Sequence, residues 1–241
     1  MKNDNKFART GKGDYAAIKI LEASKELFYE NGFYDTTVAN ITKKAGVNNG
    51  LFTYYFGTKT KVSEIINEDF RANFRKRIDE LLTERLGENY PMEIGLAVEY
   101  RQSIELYYKH PKLRRFSIET QTNALNHPNL SYTDIMQERD KMVNSERALF
   151  YKKQKELINP DISDLDLQTY EIAGIACTTA LLTAYHNRIL DCSRRYLGDK
   201  YIEICFSLLG LDKERIEEIT EKSYEINQGL SVHLEHYFII K

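Results

Sequence analysis

Apolar residues return at three- and four-residue steps along most of the chain, which is the spacing of one face of a helix. Ala17, Ile20, Leu21, Ser24, Leu27 and Phe28 form the first such face. Asp14 offers its N-cap and Asn31-Gly32 its stop. A second, short helix follows, with Thr36-Thr37 as caps and Val38, Ile41, Thr42 and Ala45 on one side. Gly46 ends it, because glycine takes the left-handed backbone that a sharp turn needs. Asn48 then caps a third short helix to about Tyr54. Thr58 caps a long fourth one, whose stripe is Val62, Ile65, Ile66, Phe70, Phe74, Ile78, Leu81 and Leu82, ending near Gly87.

The remainder also reads as helices: 92–109, 112–125, 131–158, one from Ser163 or Asp164 to about Leu190, 199–210, and 212–228 capped by Asp212. The apolar tail 229–241 stays unassigned. The expected fold class is all-α: a three-helix helix-turn-helix domain followed by a larger helical domain. The expected organisation is a flexible basic arm over 1–13, the small domain over 14–60 and the large one over 61–241.

Composition supports that reading. Only 12 glycines and 4 prolines interrupt 241 residues, too few turns for an all-β fold. All four prolines fall between proposed helices of the larger domain. The three cysteines, Cys177, Cys192 and Cys205, form no CxxC pair and suggest neither a disulfide framework nor a zinc cluster. The longest uncharged run, Ile172 to Asn187, is too short and too polar to span a bilayer, and no signal core opens the chain. A reduced, cytoplasmic location away from the membrane is expected.

The net charge of −2 looks indifferent to nucleic acid, but its distribution does not. Residues 1–61 carry ten Lys/Arg against six Asp/Glu, net +4; residues 62–241 carry 24 against 30, net −6.

Two short helices joined by the tight Ala45-Gly46-Val47 turn, after a longer supporting helix, are the parts of a helix-turn-helix. There the helix after the turn enters the major groove. Asn48, Asn49, Thr53 and Tyr54 stand near the start of that helix. Asparagine pairs with adenine edges, and threonine meets a thymine methyl. Gly50 removes a side chain where backbones approach. Thr37 and Lys59 reach phosphate, and Phe52 and Phe56 belong to the small core.

The segment TTVANITKKAGVNNGLFTYYFGTKTKV (36–62) resembles the DNA-binding signature of the TetR (tetracycline-repressor) family. Thr37, Ile41, Ala45, Gly46, Val47, Asn48, Gly50, Tyr55, Phe56, Thr58 and Lys59 carry the likeness, with Ala23, Phe28 and Gly32-Phe33 before them. The likeness covers roughly 14–65. The sequence departs from the pattern at Thr53, where the family usually has tyrosine, and at Asn49, where it often has a basic residue. Phosphate contact is therefore expected to lean on the arm (Lys2, Lys6, Arg9, Lys12) and on Lys43, Lys44 and Lys59.

The resemblance implies a homodimeric regulator, most often a repressor, on a near-palindromic operator and released by a small effector. The rival reading is a helical binding protein or enzyme that keeps a vestigial DNA module. The run Ile172 to Tyr185 is apolar all round and must be covered all round. Ala173, Ala176, Ala180 and Ala184, with Ile204 and Leu208 from the run 201–211, are the expected dimer interface. A helix central to its own domain is the alternative. Tyr100, Ile104, Tyr108, Phe116, Met136, Met142, Phe150 and Tyr170 are candidates for an apolar effector cavity with hydroxyl handles, or else plain core. Asp161, Asp164 and Asp166 read as helix caps. His233 and His236 lack a third ligand, so no metal, no cofactor and no catalytic residue is expected.

Overall fold

The structure, a computed structural model, describes residues 11–126, 155–156 and 158–241. The residues expected to form the basic arm up to Thr10, and most of the helix expected over 131–158, lie outside that range. Among the described residues the chain folds into nine helices: α1 (Gly11–Asn31), α2 (Val38–Ala45), α3 (Asn49–Phe56), α4 (Lys59–Leu86), α5 (Met92–Lys109), α6 (Pro111–Asn126), α7 (Asp164–His186), α8 (Arg194–Leu208) and α9 (Lys213–Asn227). A two-stranded antiparallel hairpin, β1 (Leu234–His236) and β2 (Ile239–Ile240), completes them.

The local capping chemistry explains most boundaries. Thr37, Asn48, Thr58, Ser163, Ser193 and Asp212 sit in extended backbone, and each side chain accepts an N–H from three residues on. Pro111 opens α6, where a missing N–H costs nothing. Three boundaries depart from expectation. Asp14 lies inside α1, which already begins at Gly11. α8 starts five residues early because Ser193 caps it. α7 stops at His186 rather than Leu190: Arg188 adopts φ +58°, and the Ile189 N–H reaches back to the Ala184 carbonyl, the closing bond of a helix end normally built on glycine.

One hydrophobic core runs through both proposed domains. Phe28 of α1 packs on Phe116 of α6 at 5.4 Å between ring centroids, Phe116 on Phe238 of the tail at 4.7 Å, and Phe238 on Phe70 of α4 at 6.2 Å. The tail is thus a wedge between α1, α4 and α6. It is tied to α5 by Gln102, which accepts from the Val232 N–H and donates to the Leu230 carbonyl. Behind it, α5 packs against α8 and α9. Arg101 of α5 is buried there, donating to Ser223, to Asp199 at 2.6 Å and to the Thr220 carbonyl. A buried guanidinium with three acceptors is compensated rather than costly.

Candidate DNA interface and ligand cavity

The turn between α2 and α3 is built from four short-range devices. Thr37 caps α2 at its start, and Gly46 closes it with φ +67°. Asn48 caps α3 through the Leu51 N–H at 2.9 Å. The Thr42 hydroxyl donates to the side-chain oxygen of Asn49 at 2.6 Å, which ties the two helices across the turn. Ile41, Ala45, Phe52 and Phe56 point inward onto α1.

That packing leaves Thr37, Lys43, Asn48, Asn49, Gly50, Thr53 and Tyr54 on the outside, with Tyr54 79% exposed. Tyr55 turns half inward against the core. A side chain at Gly50 would sit 3.2 Å from the capping oxygen of Asn48, so this glycine also protects the cap. Lys44 is paired with Glu26 at 2.7 Å, whereas Lys43 is exposed with no ion pair among the described residues.

Lys59 takes on a role that its sequence position did not announce. Its ammonium donates to the Phe33 carbonyl at 2.7 Å and the Thr36 carbonyl at 2.8 Å, and lies 4.3 Å from the centre of the Phe33 ring. Two of its three N–H groups are spent on the α1–α2 turn, leaving one for phosphate. Burial pushes its pKa below the usual lysine value, with Glu119 and Asp35 opposing. Glu119 of α6 holds the same turn from the other side, its carboxylate accepting from the Phe33 N–H at 2.5 Å and the Tyr34 N–H at 3.3 Å.

A cavity of about 220 Å³ lies among α4, α5, α6, α7 and α8. Of the eight residues expected there, Tyr100 and Tyr170 line it. Ile104 does not: it is buried in a small cluster with Leu197, Leu182 and Tyr201, of which only the last two reach the cavity wall. Phe116 does not, being part of the aromatic stack with Phe28 and Phe238. Tyr108 is half exposed beneath the Arg194 guanidinium, at 4.3 Å. Met136, Met142 and Phe150 lie outside the described residues. The lining that sequence reasoning missed includes Arg71, Arg75, Glu99, Tyr107 and Gln121. Cys205 also lines it, and burial raises its thiol to about 11.

Of the expected dimer residues, Ala173, Ala176, Ala184, Ile204 and Leu208 are half-buried and Ala180 is exposed. Ile172 and Cys177 are exposed on the same helix, opposite the buried Gly174, Thr179 and Leu182. Among the described residues no group of His, Cys, Asp or Glu could hold a metal ion, and no helix is long and apolar enough to cross a membrane.

Residues 20–64 match the family described as "Bacterial regulatory proteins, tetR family". The chain is 33% identical over 90 residues to "Uncharacterized HTH-type transcriptional regulator YdgC" of Bacillus subtilis (strain 168), covering 36% of this chain and 46% of that protein. It is 30% identical over 60 residues to "HTH-type transcriptional regulator BetI" of Escherichia coli O139:H28, covering 25% and 31%. The matches therefore span less than half the length of these relatives. Among solved structures, a TetR transcriptional regulator from Rhodococcus sp. RHA1 aligns with TM-score 0.48 and 16% identity over 83% of this chain and 98% of that one. FadR from Bacillus subtilis, in complex with stearoyl-CoA, aligns with TM-score 0.45 and 20% identity over 79% and 98%. The matched segment spans the capped turn, its exposed third helix and most of the supporting helix, and it is in this region that the chain is similar to the tetR family of bacterial regulatory proteins.

Proposed function

We propose that the protein is a ligand-responsive, DNA-binding transcriptional repressor that acts as a homodimer on a near-palindromic operator. The observation that carries this is α3: a helix pinned from inside by Phe52 and Phe56 and from its start by Asn48, with Asn49, Thr53 and Tyr54 turned outward. A rigid polar helix face is what major-groove readout requires. Two such helices in a dimer enter successive major grooves about 34–36 Å apart. The outward stripe of Ile172, Cys177 and Ala180 on α7 supports the partner-facing assignment of α7 and α8.

The cavity supports the effector role, and two helices connect it to the DNA side. α4 carries Phe70 and Phe74 into the cavity wall and Lys59 into the α1–α2 turn. On α6, three successive residues reach three places. Glu119 grips the turn, Thr120 accepts from Asn67 of α4 at 2.9 Å, and Gln121 lines the cavity and accepts from Thr179 of α7. An effector that binds one cavity shape better shifts the population towards the matching separation of the two α3 helices.

The test is selection of DNA sites by the purified protein, followed by gel shifts at several salt concentrations. Thr53→Ala, Tyr54→Ala and Lys43→Gln are the informative variants, because those side chains are exposed. The proposal expects a selected two-fold symmetric site and at least ~10-fold weaker binding by the triple variant. Absence of sequence preference at every salt concentration would sink it.

A further inference from the structure

We infer that the cavity is built for a compact carboxylate, with Arg71 of α4 as the group that receives its charge. This rests on the reading of the cavity as the effector site and names the class of ligand. The argument is an accounting of donors and charges. Arg75 and Glu99 both line the cavity, but they cancel in a two-bond pair at 3.0 and 3.2 Å. The hydroxyl protons of the lining are mostly committed. Ser103 donates to the Tyr100 carbonyl, Thr178 to the Gly174 carbonyl, Tyr201 to the Thr178 carbonyl, and Thr179 to Gln121. Tyr107 shares its proton with Ser117 at 2.9 Å, and the Tyr100 hydroxyl is engaged with Cys205.

Two polar side chains of the lining remain unpartnered among the described residues, Arg71 and Tyr170. Arginine offers five N–H donors and no acceptor, and a phenol offers one more proton. Among the described residues the lining therefore has surplus donors and a surplus positive charge, with Phe70, Phe74, Leu106 and Leu182 supplying the apolar wall. A ligand that satisfies it brings a planar anionic acceptor on an apolar body. A carboxylate matches the guanidinium fork with two parallel bonds, which an amide or an amine does not reproduce. The volume of about 220 Å³ lies below the ~300–1,000 Å³ of ordinary ligand pockets, so the apolar body is short.

The experiment is isothermal titration of the full-length protein with octanoate and 3-phenylpropanoate, each beside its primary amide. Wild type, Arg71→Gln and Tyr170→Phe are compared, with thermal melts confirming that each variant is folded. Each carboxylate is expected to bind at least ~10-fold more tightly than its amide, the margin of a charge-assisted pair. Arg71→Gln should erase that ratio while leaving amide affinity within about threefold, and Tyr170→Phe should shrink it. Equal or tighter binding of the amides, a carboxylate preference that survives Arg71→Gln, or binding of neither series at 10 mM overturns the assignment. Gel shifts in the same ligands separate this from the regulator reading. Carboxylate binding through Arg71 that leaves DNA affinity unchanged supports the anion site and removes its effector role. Release of DNA by the amides without any carboxylate preference does the reverse.

Discussion

Glu119→Ala should destabilise the protein from a point 86 residues away in sequence from the turn it holds. The carboxylate is the acceptor for the Phe33 N–H at 2.5 Å and the Tyr34 N–H at 3.3 Å. Phe33 is 3% exposed, so its N–H has poor access to water once the carboxylate is gone, a loss of about 1–3 kcal/mol. Tyr34 is exposed and its N–H rehydrates, adding about 0.5 kcal/mol. Lys59, whose charge Glu119 helps to keep, loses that support as well. The expected total is about 2–3 kcal/mol, or a melting temperature lower by roughly 4–12 °C for a chain of this size. Glu119→Gln keeps an acceptor oxygen and loses only the charge, so its loss should be about half. Urea unfolding gives the energies, and amide hydrogen exchange should show Phe33 and Tyr34 opening selectively in the alanine variant. A loss below about 0.5 kcal/mol, or no selective change at those two amides, would refute the reasoning.

Asn48→Asp separates capping from DNA contact. Aspartate is as good an N-cap and suits the helix dipole, so melting should hold while the new negative charge weakens operator binding at least ~10-fold by gel shift. His186 sets an acid limb on stability. Burial, with Arg114 adding repulsion, lowers its pKa from 6.5 to about 4. Between those values the unfolded chain binds a proton that the folded chain refuses. Stability should therefore fall as pH drops from 6.5 to about 4, by on the order of 1–2 kcal/mol after allowing for solvent screening of a half-buried ring. His186→Gln should flatten that limb in urea titrations, and an unchanged limb would count against it. Cys177 is exposed on the outward stripe of α7. In a dimer through that face it should label with maleimide at least ~10-fold more slowly than in monomer obtained by dilution, and Cys177→Glu should yield monomer by light scattering.

The helix-turn-helix was legible because its specification is local. Thr37, Asn48 and Thr58 each cap a partner three residues away, and Gly46 needs only its own backbone freedom. The cavity was less legible, since helical spacing shows which residues share a face and not which neighbour meets it. Tyr100 and Ile104 lie one turn apart on α5, yet one lines the cavity and the other is sealed in a second cluster. Arg71 stands beside Phe70 on a highly charged helix, and no local signal distinguishes it from a solvated arginine. Glu119 and the tail depended on contacts across 86 and 122 residues, from Phe33 to Glu119 and from Phe116 to Phe238, which no window along the chain contains.

The structure also changes what the basic surplus of residues 1–61 means. That surplus suggested a strongly attractive head, but much of the described charge is already in use. Lys25 pairs with Asp69 at 2.9 Å, Lys44 with Glu26, and Lys61 with Glu64 at 3.6 Å, while Lys59 is held by two carbonyls. Asp69 and Glu64 come from α4, so acidic residues counted with the body neutralise part of the head. Lys43, exposed and with no ion pair among the described residues, stands beside an uncharged α3. Each phosphate neutralised adds about 0.9 to the slope of log affinity against log salt. A recognition surface with so few free cations should show a shallow slope and draw its discrimination from the hydrogen-bonding face of Asn49, Thr53 and Tyr54. Steepness beyond that has its source in Lys2, Lys6 and Arg9, so deleting residues 1–10 should flatten the slope while leaving the preferred sequence unchanged.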